Sequence, residues 1–254
     1  MKDRAALVLG HPGHELRVFR FVEIYKPRVY VLTDGSGSGD ISRLKSTTDL
    51  LNGCGAEISP IMGYYTDKEL YRVILEKDVL SLSELAQKIL LDFVAHDINM
   101  VAGDAVEGYN PTHDLCRYLI NEIVSRAAAK NETVIKNFDF PLTGIPGDPG
   151  GEDDLAIPLS DEDFTRKYRA AEAYRELALE MKAAVEQHGS DPFKMEYLRR
   201  LKPPFALKTW PDDAIPFYEE YARDKVQKGI YKQVISFQEH MLPLINNLSA
   251  RPAQ

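Results

Sequence analysis

Histidines follow two short apolar runs of the sequence, in the places where buried strands would end. His11 and His14 come directly after the run Ala5–Leu9, and His113 lies in the segment that follows a second run at 99–102. In open α/β sheets, ligands bind outside the carboxyl ends of the strands. A catalytic zinc site typically takes three protein ligands and leaves a fourth position for water. These three imidazoles therefore predict a candidate metal site at that edge of a sheet.

Strand and helix patterns alternate through the first half of the chain. Short apolar runs predict buried strands, and apolar residues at helical spacing occupy the segments between them. The predicted strands are 5–9, 29–32, 57–62, 99–102 and 133–135, and the predicted helices are 16–26, 41–52, 66–95 and 111–129. This alternation predicts a Rossmann-like α/β fold, a mainly parallel sheet with helices on both faces and right-handed crossovers.

The second half of the chain has a different pattern. It opens with a Gly-, Pro- and Asp-rich stretch at 141–158, which predicts a loop. Apolar residues at helical spacing then predict three helices, at 164–185, 218–227 and 231–248. We therefore expect an α/β core over residues 1–158 and a helical C-terminal extension, residues 159–254, packed on that core.

Composition excludes several classes of protein. The chain of 254 residues is 44% apolar and 28% charged, which is typical of a globular protein. Its net charge of −8 and its lack of a dense Lys/Arg run argue against a nucleic-acid partner. No apolar run approaches the roughly 18 residues of a membrane span, and the first run is too short for a signal peptide. Two cysteines, Cys54 and Cys116, make no disulfide framework, so we expect a cytoplasmic protein.

Four segments, in order along the chain, carry a resemblance to a known family. The first is residues 10–15, with the sequence Gly-His-Pro-Gly-His-Glu, and the second is Thr33-Asp34-Gly35 followed by Arg43. The third is residues 108–113, Gly-Tyr-Asn-Pro-Thr-His, and the fourth is the Ala-rich stretch at 167–174. Together they resemble the PIG-L (LmbE-like) zinc-dependent N-deacetylases, which remove acyl groups from N-acylated amino sugars. The resemblance spans about residues 4–185, although no single motif is intact.

The resemblance implies a ligand set and a cofactor. Carried over position by position, the metal ligands are His11, His14 and His113, where His14 replaces an aspartate of the family motif. Zinc accepts histidine readily in place of aspartate. Zinc is therefore the expected metal, although iron, nickel or cobalt could also bind three imidazoles.

The resemblance leaves the general base open, because Gly13 stands where the family has its catalytic aspartate. Four carboxylates could substitute, and Glu15 and Asp104 are the candidates that we retain over Asp34 and Glu107. Other roles carry over more directly from the family pattern. Asn110 is expected to stabilise the oxyanion, and Asp34 and Arg43 are expected to bind substrate.

Three functions remain open at this point. The first is a metal-dependent hydrolase that removes an acyl group from an N-acylated amino sugar or a related small molecule. The second, which Gly13 favours, is a non-catalytic sugar- or metal-binding protein on the same fold. The third is metal-dependent hydrolysis of a different bond. The Gly-x-Gly-x-Gly turn at 35–39 could also cradle a phosphate, so the substrate could be phosphate- or nucleotide-linked.

Overall fold

Strands and helices alternate through the first half of the chain in the computed structural model, which describes residues 3–37, 39, 41–131, 134–145, 151–207 and 214–250. The elements of this half are β1 (Ala5–Leu9), α1 (Phe19–Tyr25), β2 (Arg28–Thr33), α2 (Leu44–Cys54), β3 (Glu57–Tyr65), α3 (Asp67–Glu76), α4 (Val79–Ala95), β4 (Met100–Asp104), α5 (Pro111–Asn131) and β5 (Lys136–Phe140). A short 3-10 turn, His14–Val18, links β1 to α1.

The second half adds both helices and strands. Its elements are β6 (Leu155–Pro158), α6 (Asp161–Ala173), α7 (Ala178–His188), β7 (Met195–Leu201), α8 (Phe217–Gln227) and α9 (Leu242–Ala250). The last helix follows a π-helical turn, Phe237–Met241, and packs against α4 and α5. Strands β6 and β7 were not expected from the sequence, which predicted a loop at 141–158 and no helix or strand at 195–201. The core boundary at residue 158 stays a prediction.

All seven strands form one sheet in the order β3-β2-β1-β4-β5-β7-β6. The pairs from β3 to β5 are parallel, and β7 pairs antiparallel with both β5 and β6. A mainly parallel sheet with helices and a helical C-terminal extension confirms the predicted fold class. In the register of the two central strands, Val8 lies beside Gly103. The segments that follow β1 and β4 therefore leave the sheet side by side.

Strand β1 is apolar throughout because both faces of the sheet are covered. Ala6 and Val8 point into one apolar core, whereas Ala5, Leu7 and Leu9 point into the other. All five side chains are buried. Burial on both faces is the expected cause of a continuous apolar run in a parallel strand. The parallel pairing of β1 with β2 and β4 sets the place where His11 leaves the sheet.

Two predicted helices are interrupted in the structure. Thr66 begins α3 with the capping box expected from its pairing with Glu69, but α3 ends at Lys77, which has a left-handed conformation. Asp78 then caps a separate helix, α4. The amphipathic stripe at 164–185 is likewise divided between α6 and α7, which are joined through Tyr174. The predicted strand at 133–135 lies just before β5, and Thr133 is outside the described residues.

No helix in the described part of the chain combines the length and the apolar character that crossing a membrane requires.

Candidate metal centre at the carboxyl edge of the sheet

The three predicted histidines come together at the carboxyl edge of the sheet. Ring centroids are 5.5 Å apart for His11 and His14, 5.2 Å for His11 and His113, and 4.5 Å for His14 and His113. The rings are steeply inclined to one another, with interplanar angles of 74–89°. Two of them follow β1, and the third lies in the first turn of α5. Adjacent parallel strands thus position all three side chains.

The imidazole of His11 is held through its Nδ1 atom. This nitrogen lies 2.7 Å from the Thr33 hydroxyl and 3.1 Å from the Asp67 carboxylate. The Thr33 hydroxyl itself donates to the carbonyl of Gly10, so it accepts the hydrogen from His11. With the hydrogen on Nδ1, the lone pair of neutral His11 lies on Nε2. Burial lowers the pKa of His11 despite Asp67, which favours this neutral form.

A second carboxylate holds His14 in the same way. Its Nδ1 lies 3.0 and 2.9 Å from the two oxygens of Asp104, the last residue of β4. Asp104 is fully buried and also accepts a hydrogen bond from the Gly10 amide at 2.8 Å. Histidines that bind metals commonly donate their other ring N–H to a carboxylate, which orients the ring and raises its basicity. His14 has this arrangement, whereas the Nδ1 hydrogen of His11 goes to the Thr33 hydroxyl and the Asp67 carboxylate lies 3.1 Å from the same nitrogen.

His113 completes the cluster, and it has fewer hydrogen-bond partners than His11 or His14. It is 8% exposed, and its buried Nδ1 atom has no hydrogen-bond partner. Burial holds the pKa of His113 well below its usual value, and the neighbouring His14 and His11 lower it further. A neutral ring with an unpartnered buried nitrogen is the form that a metal ion binds, and such an atom otherwise costs about 1–3 kcal/mol.

The cluster has the donor type of a zinc site, and its rings are about as far apart as the rings of such a site. A Zn–N bond of about 2.0–2.1 Å puts a ring centroid about 3.2 Å from the ion, so tetrahedral ligands have centroids about 5 Å apart. The three observed separations lie near this value. Within the residues that the structure describes, however, no three or more His, Cys, Asp or Glu side chains form a group that could hold a metal ion as they stand.

Gly13 marks the position where the resemblance expects a catalytic aspartate. Its φ of +104° favours glycine, and a Cβ atom added there would lie 2.4 Å from the Leu177 methyl carbon. The Tyr174 hydroxyl would be 3.5 Å from the same atom. Both side chains come from the segment that joins α6 to α7. The space for a side chain at residue 13 is thus occupied by an apolar group.

Glu15 belongs to the loop rather than to the histidine cluster. It is fully buried, and its two oxygens accept from the Gly13 amide at 2.8 Å and the Thr47 hydroxyl at 2.7 Å. The Tyr174 hydroxyl lies 2.8 Å from the same Thr47 oxygen. Burial raises the pKa of Glu15. Since both oxygens are engaged away from the histidines, Glu15 fixes the backbone that carries His14.

Asn110 and Glu107, two further candidates from the sequence, stand before α5. The Asn110 side-chain oxygen accepts from the Thr112 amide at 2.8 Å and so caps α5, the helix that carries His113. The Tyr71 hydroxyl also contacts Asn110. The Glu107 carboxylate instead accepts from the amides of Leu142 and Thr143 in the loop after β5. Asn110 therefore borders the site, and Glu107 supports a neighbouring loop.

Asp34 and Arg43 lie together at the end of β2. The Asp34 carboxylate accepts from the Ser36 amide at 3.0 Å, and the Arg43 Nε donates to the Gly35 carbonyl at 2.8 Å. The positive charge of Arg43 contributes to the lowered pKa of both His11 and His113, so its guanidinium lies near the cluster.

Two amides of the glycine-rich turn after β2 are engaged by carboxylates of the protein rather than free for a phosphate. The Ser36 amide donates to Asp34, and the Gly37 amide donates to Asp67 at 2.6 Å. Ser38, the central serine of the predicted cradle, lies outside the described residues. The turn therefore supports Asp67, the carboxylate behind His11. Asp67 was not predicted from the sequence, because the capping box of Thr66 and Glu69 accounted for this segment. Its place shortly after the end of β3 could have indicated a residue of the site.

Comparison with known proteins shows the fold. No protein-family model matches the sequence, and no curated protein matches it either. Among solved structures, the A40926 pseudoaglycone deacetylase Dbv21 is similar, with a TM-score of 0.54 and 13% identity over 82% of this chain and 100% of the deacetylase. The zinc-inhibited form of teicoplanin deacetylase Orf2 also has a TM-score of 0.54, with 13% identity over 79% of this chain and 99% of the other.

A third similar structure is the conserved protein TT1542 from Thermus thermophilus. Its TM-score is 0.53, and its identity is 14% over 84% of this chain and 100% of that protein. At these identities the likeness establishes a shared α/β fold. This chain therefore shares its α/β fold with these solved structures, two of which are deacetylases, and its histidines lie at the carboxyl edge of the sheet.

Proposed function

We propose that this protein is a metal-dependent hydrolase that removes an acyl group from an N-acylated amino sugar or a related small molecule. The observation that carries the proposal is the cluster of His11, His14 and His113, with buried carboxylates behind two of its rings. The likeness of the fold to two deacetylases supports it. Both agree with a distant membership of the PIG-L (LmbE-like) family, which the ordered motifs suggest.

His11, His14 and His113 would hold the metal, and the two carboxylates would fix the rings of His11 and His14. A bound divalent metal supplies Lewis acidity and lowers the pKa of a coordinated water. Zinc matches the all-nitrogen donor set. Because one similar structure is the zinc-inhibited form of a deacetylase, other divalent metals belong in the same test.

The surrounding residues would bind the substrate and move a proton. Asp104 is the sequence-predicted base that contacts the cluster, and we assign it the orientation of His14 as well as the proton of the attacking water. The second role requires one carboxylate oxygen to turn from Nδ1 of His14 toward that water. Asn110 and Arg43 would stabilise negative charge on the reacting oxygen, since both lie beside the cluster. Asp34 would accept hydrogen bonds from substrate hydroxyls. Glu15 acts indirectly, because it holds the loop of Gly13.

A non-catalytic sugar- or metal-binding protein is the second candidate. Leu177 favours it, because its methyl group lies where a carboxylate at residue 13 would have to be. A protein that had lost its base could keep the histidines and the substrate pocket. Either function is consistent with a reducing, cytoplasmic environment, which we propose because Cys54 and Cys116 are both free thiols.

The direct test is the release of free amine from N-acetylglucosamine derivatives by wild type and His14→Ala, each supplied with zinc, manganese, iron or cobalt. We expect hydrolysis by wild type and a loss of at least about a thousandfold in the variant, because metal assistance contributes several kcal/mol. His188→Ala, an exposed histidine at the end of α7, is the matched control and should behave as wild type. Equal hydrolysis by His14→Ala would contradict the assigned site. Ligand binding without hydrolysis in wild type would favour the binding protein.

A further inference from the structure

Arg117, one turn after His113 on α5, is a charged side chain in the interior of the protein. It is only 1% exposed. Its Nε donates to the Asp104 carbonyl of β4 at 2.6 Å. Its Nη1 donates to the Asn137 side-chain oxygen at 3.0 Å, and its Nη2 donates to the Phe138 carbonyl at 2.9 Å. The guanidinium therefore joins α5 to both β4 and β5.

All three acceptors of this guanidinium are neutral, which makes the burial of its charge costly. A buried ion normally needs an opposite charge that also satisfies its hydrogen bonds. Burial lowers the pKa of Arg117, although the negative charges of Asp139 and Asp104 act in the opposite direction. An apolar side chain of similar volume is often as stabilising as a buried ion, or more so. What the arginine adds is therefore the direction of its three hydrogen bonds.

Gly103 of β4 allows α5 to come close enough to the sheet for these bonds. A Cβ atom added at Gly103 would lie 3.1 Å from Nη2 of Arg117 and 2.4 Å from Cδ1 of Ile120. It would also lie 2.4 Å from the carbonyl oxygen of Val8, so rigid backbone contributes to the crowding. Only a glycine fits such a close approach of helix and strand.

The same guanidinium is connected to two of the predicted metal ligands. His113 and Arg117 are four residues apart, so they lie on one face of α5. Asp104, whose carbonyl accepts from Arg117, also holds Nδ1 of His14 through its side chain. Arg117 thus links the helix that carries His113 to the residue that orients His14.

The apolar contacts of α5 do not provide this directionality. Leu115, Leu119 and Ile120 are fully buried in the apolar core that also contains Val8 of β1. Hydrophobic attraction depends on the area buried and not on direction, so these contacts would tolerate a small slide or rotation of the helix. The guanidinium has its donors in a fixed plane, so three simultaneous bonds would not tolerate one.

We propose that Arg117 is a positioning residue of the candidate metal centre. It fixes the register of α5 against β4 and β5 and so holds the His113 ring at its distance from the His14 ring. This inference rests on the proposed function, because it assigns Arg117 a role toward the same metal. The register itself is a property of the protein with or without the metal.

Two variants separate the three hydrogen bonds of Arg117 from its charge. Arg117→Lys keeps the charge and cannot make three bonds in one plane, whereas Arg117→Met removes both the charge and the donors. In metal-free crystals of each variant, we expect the His14–His113 centroid separation to differ from the wild-type value of 4.5 Å by at least about 0.5 Å. Urea unfolding is measured alongside, and Arg117→Met is expected to stay near wild-type stability.

Cobalt(II) binding measures the same geometry in solution, because its visible spectrum depends on the arrangement of its ligands. Both variants should bind cobalt at least about tenfold more weakly than wild type and give an altered spectrum. Arg126→Lys is the matched control on the same helix, about 20 Å along α5 from His113. Arg126 pairs with Glu122 and donates to the Leu248 carbonyl, so this variant should match wild type in both measurements.

The ring separation decides the inference if wild type binds no cobalt. Wild-type ring separation and cobalt affinity in Arg117→Lys would overturn it, because the charge alone would then be sufficient. A loss of stability with both site measurements unchanged would also overturn it, because Arg117 would then serve only the fold.

The proposed hydrolase and the role of Arg117 are distinguishable in these experiments. Displaced rings in both variants, with no hydrolysis of acylamino sugars by wild type, would support the role of Arg117 and contradict the hydrolase. Hydrolysis by wild type, with unmoved rings in both variants, would support the hydrolase and overturn the role of Arg117.

Discussion

Replacing Gly13 with alanine is expected to lower the free energy of unfolding by about 2–4 kcal/mol. A φ of +104° is strained for any residue with a Cβ atom, which contributes about 1–3 kcal/mol. The new methyl group would also meet the Leu177 side chain at 2.4 Å. Since Leu177 can rotate, crowding adds less than the about 1–3 kcal/mol of a rigid overpacked site. Urea unfolding measures the total.

Two further variants separate strain from crowding. Adding Leu177→Ala to Gly13→Ala should relieve the crowding and leave the backbone strain in place. Gly53→Ala is the matched control, because nothing lies within 4 Å of an added Cβ atom there. This residue is inside α2, so the change should stabilise the protein by about 0.5–1 kcal/mol. A Gly13→Ala variant as stable as wild type would show that the loop of residue 13 differs from the one described.

The position of Leu177 also predicts that an aspartate introduced at residue 13 would not act as a base. Gly13→Asp, which recreates the family residue, should be destabilised and should not increase hydrolysis, because Leu177 occupies the space near the new side chain. A rise in activity would show that this space is accessible and that the missing aspartate alone limits the reaction.

Asp104→Asn is expected to have the largest effect of any single carboxylate substitution on hydrolysis. If Asp104 takes the proton of the attacking water, kcat should fall by about 10²–10⁴-fold at saturating metal. Metal affinity should also fall, by about 10–100-fold, because the His14 ring loses its charged partner. Steady-state kinetics over a metal titration separates these two effects.

Asp67→Asn is the informative comparison, because Asp67 lies 3.1 Å from Nδ1 of His11 and Asp104 lies 2.9 Å from Nδ1 of His14. This variant should also lower metal affinity by about 10–100-fold. It should lower kcat less than Asp104→Asn does. Asp49→Asn, on the exposed side of α2, controls for the loss of a surface carboxylate. Equal kcat values for the Asp67 and Asp104 variants at saturating metal would mean that both residues only position histidines.

The parallel strands and most of the histidine site could be predicted from the sequence, because the candidate metal ligands lie close to recognisable apolar runs. Apolar runs mark the parallel strands because both faces of the sheet are buried, and that burial makes the runs continuous. His11, His14 and Asp104 could be predicted at the site because they directly follow or end such strands. His113 required the motif before α5 as well.

Long-range contacts explain what the sequence did not reveal. Strand β7 was missed because its charged residues hide the alternation. Buried Glu196 is compensated by Lys167 of α6, at 2.8 Å, and by the amides of Arg20 and Phe21. The break between α6 and α7 interrupts an apolar stripe that continues through Tyr174 and Leu177. Both side chains lie beside Gly13. The spacing of apolar residues along one helix cannot predict a contact with so distant a segment.

Metal content tests the central claim most directly. Wild type and His113→Ala, purified without a histidine tag, would be incubated with zinc, dialysed and analysed by mass spectrometry. The proposed site predicts about one equivalent of zinc in wild type, held by three imidazoles, and its loss in the variant. Wild type that retains no zinc or other divalent metal, or a variant that retains a full equivalent, would contradict the assigned metal centre and with it the hydrolase.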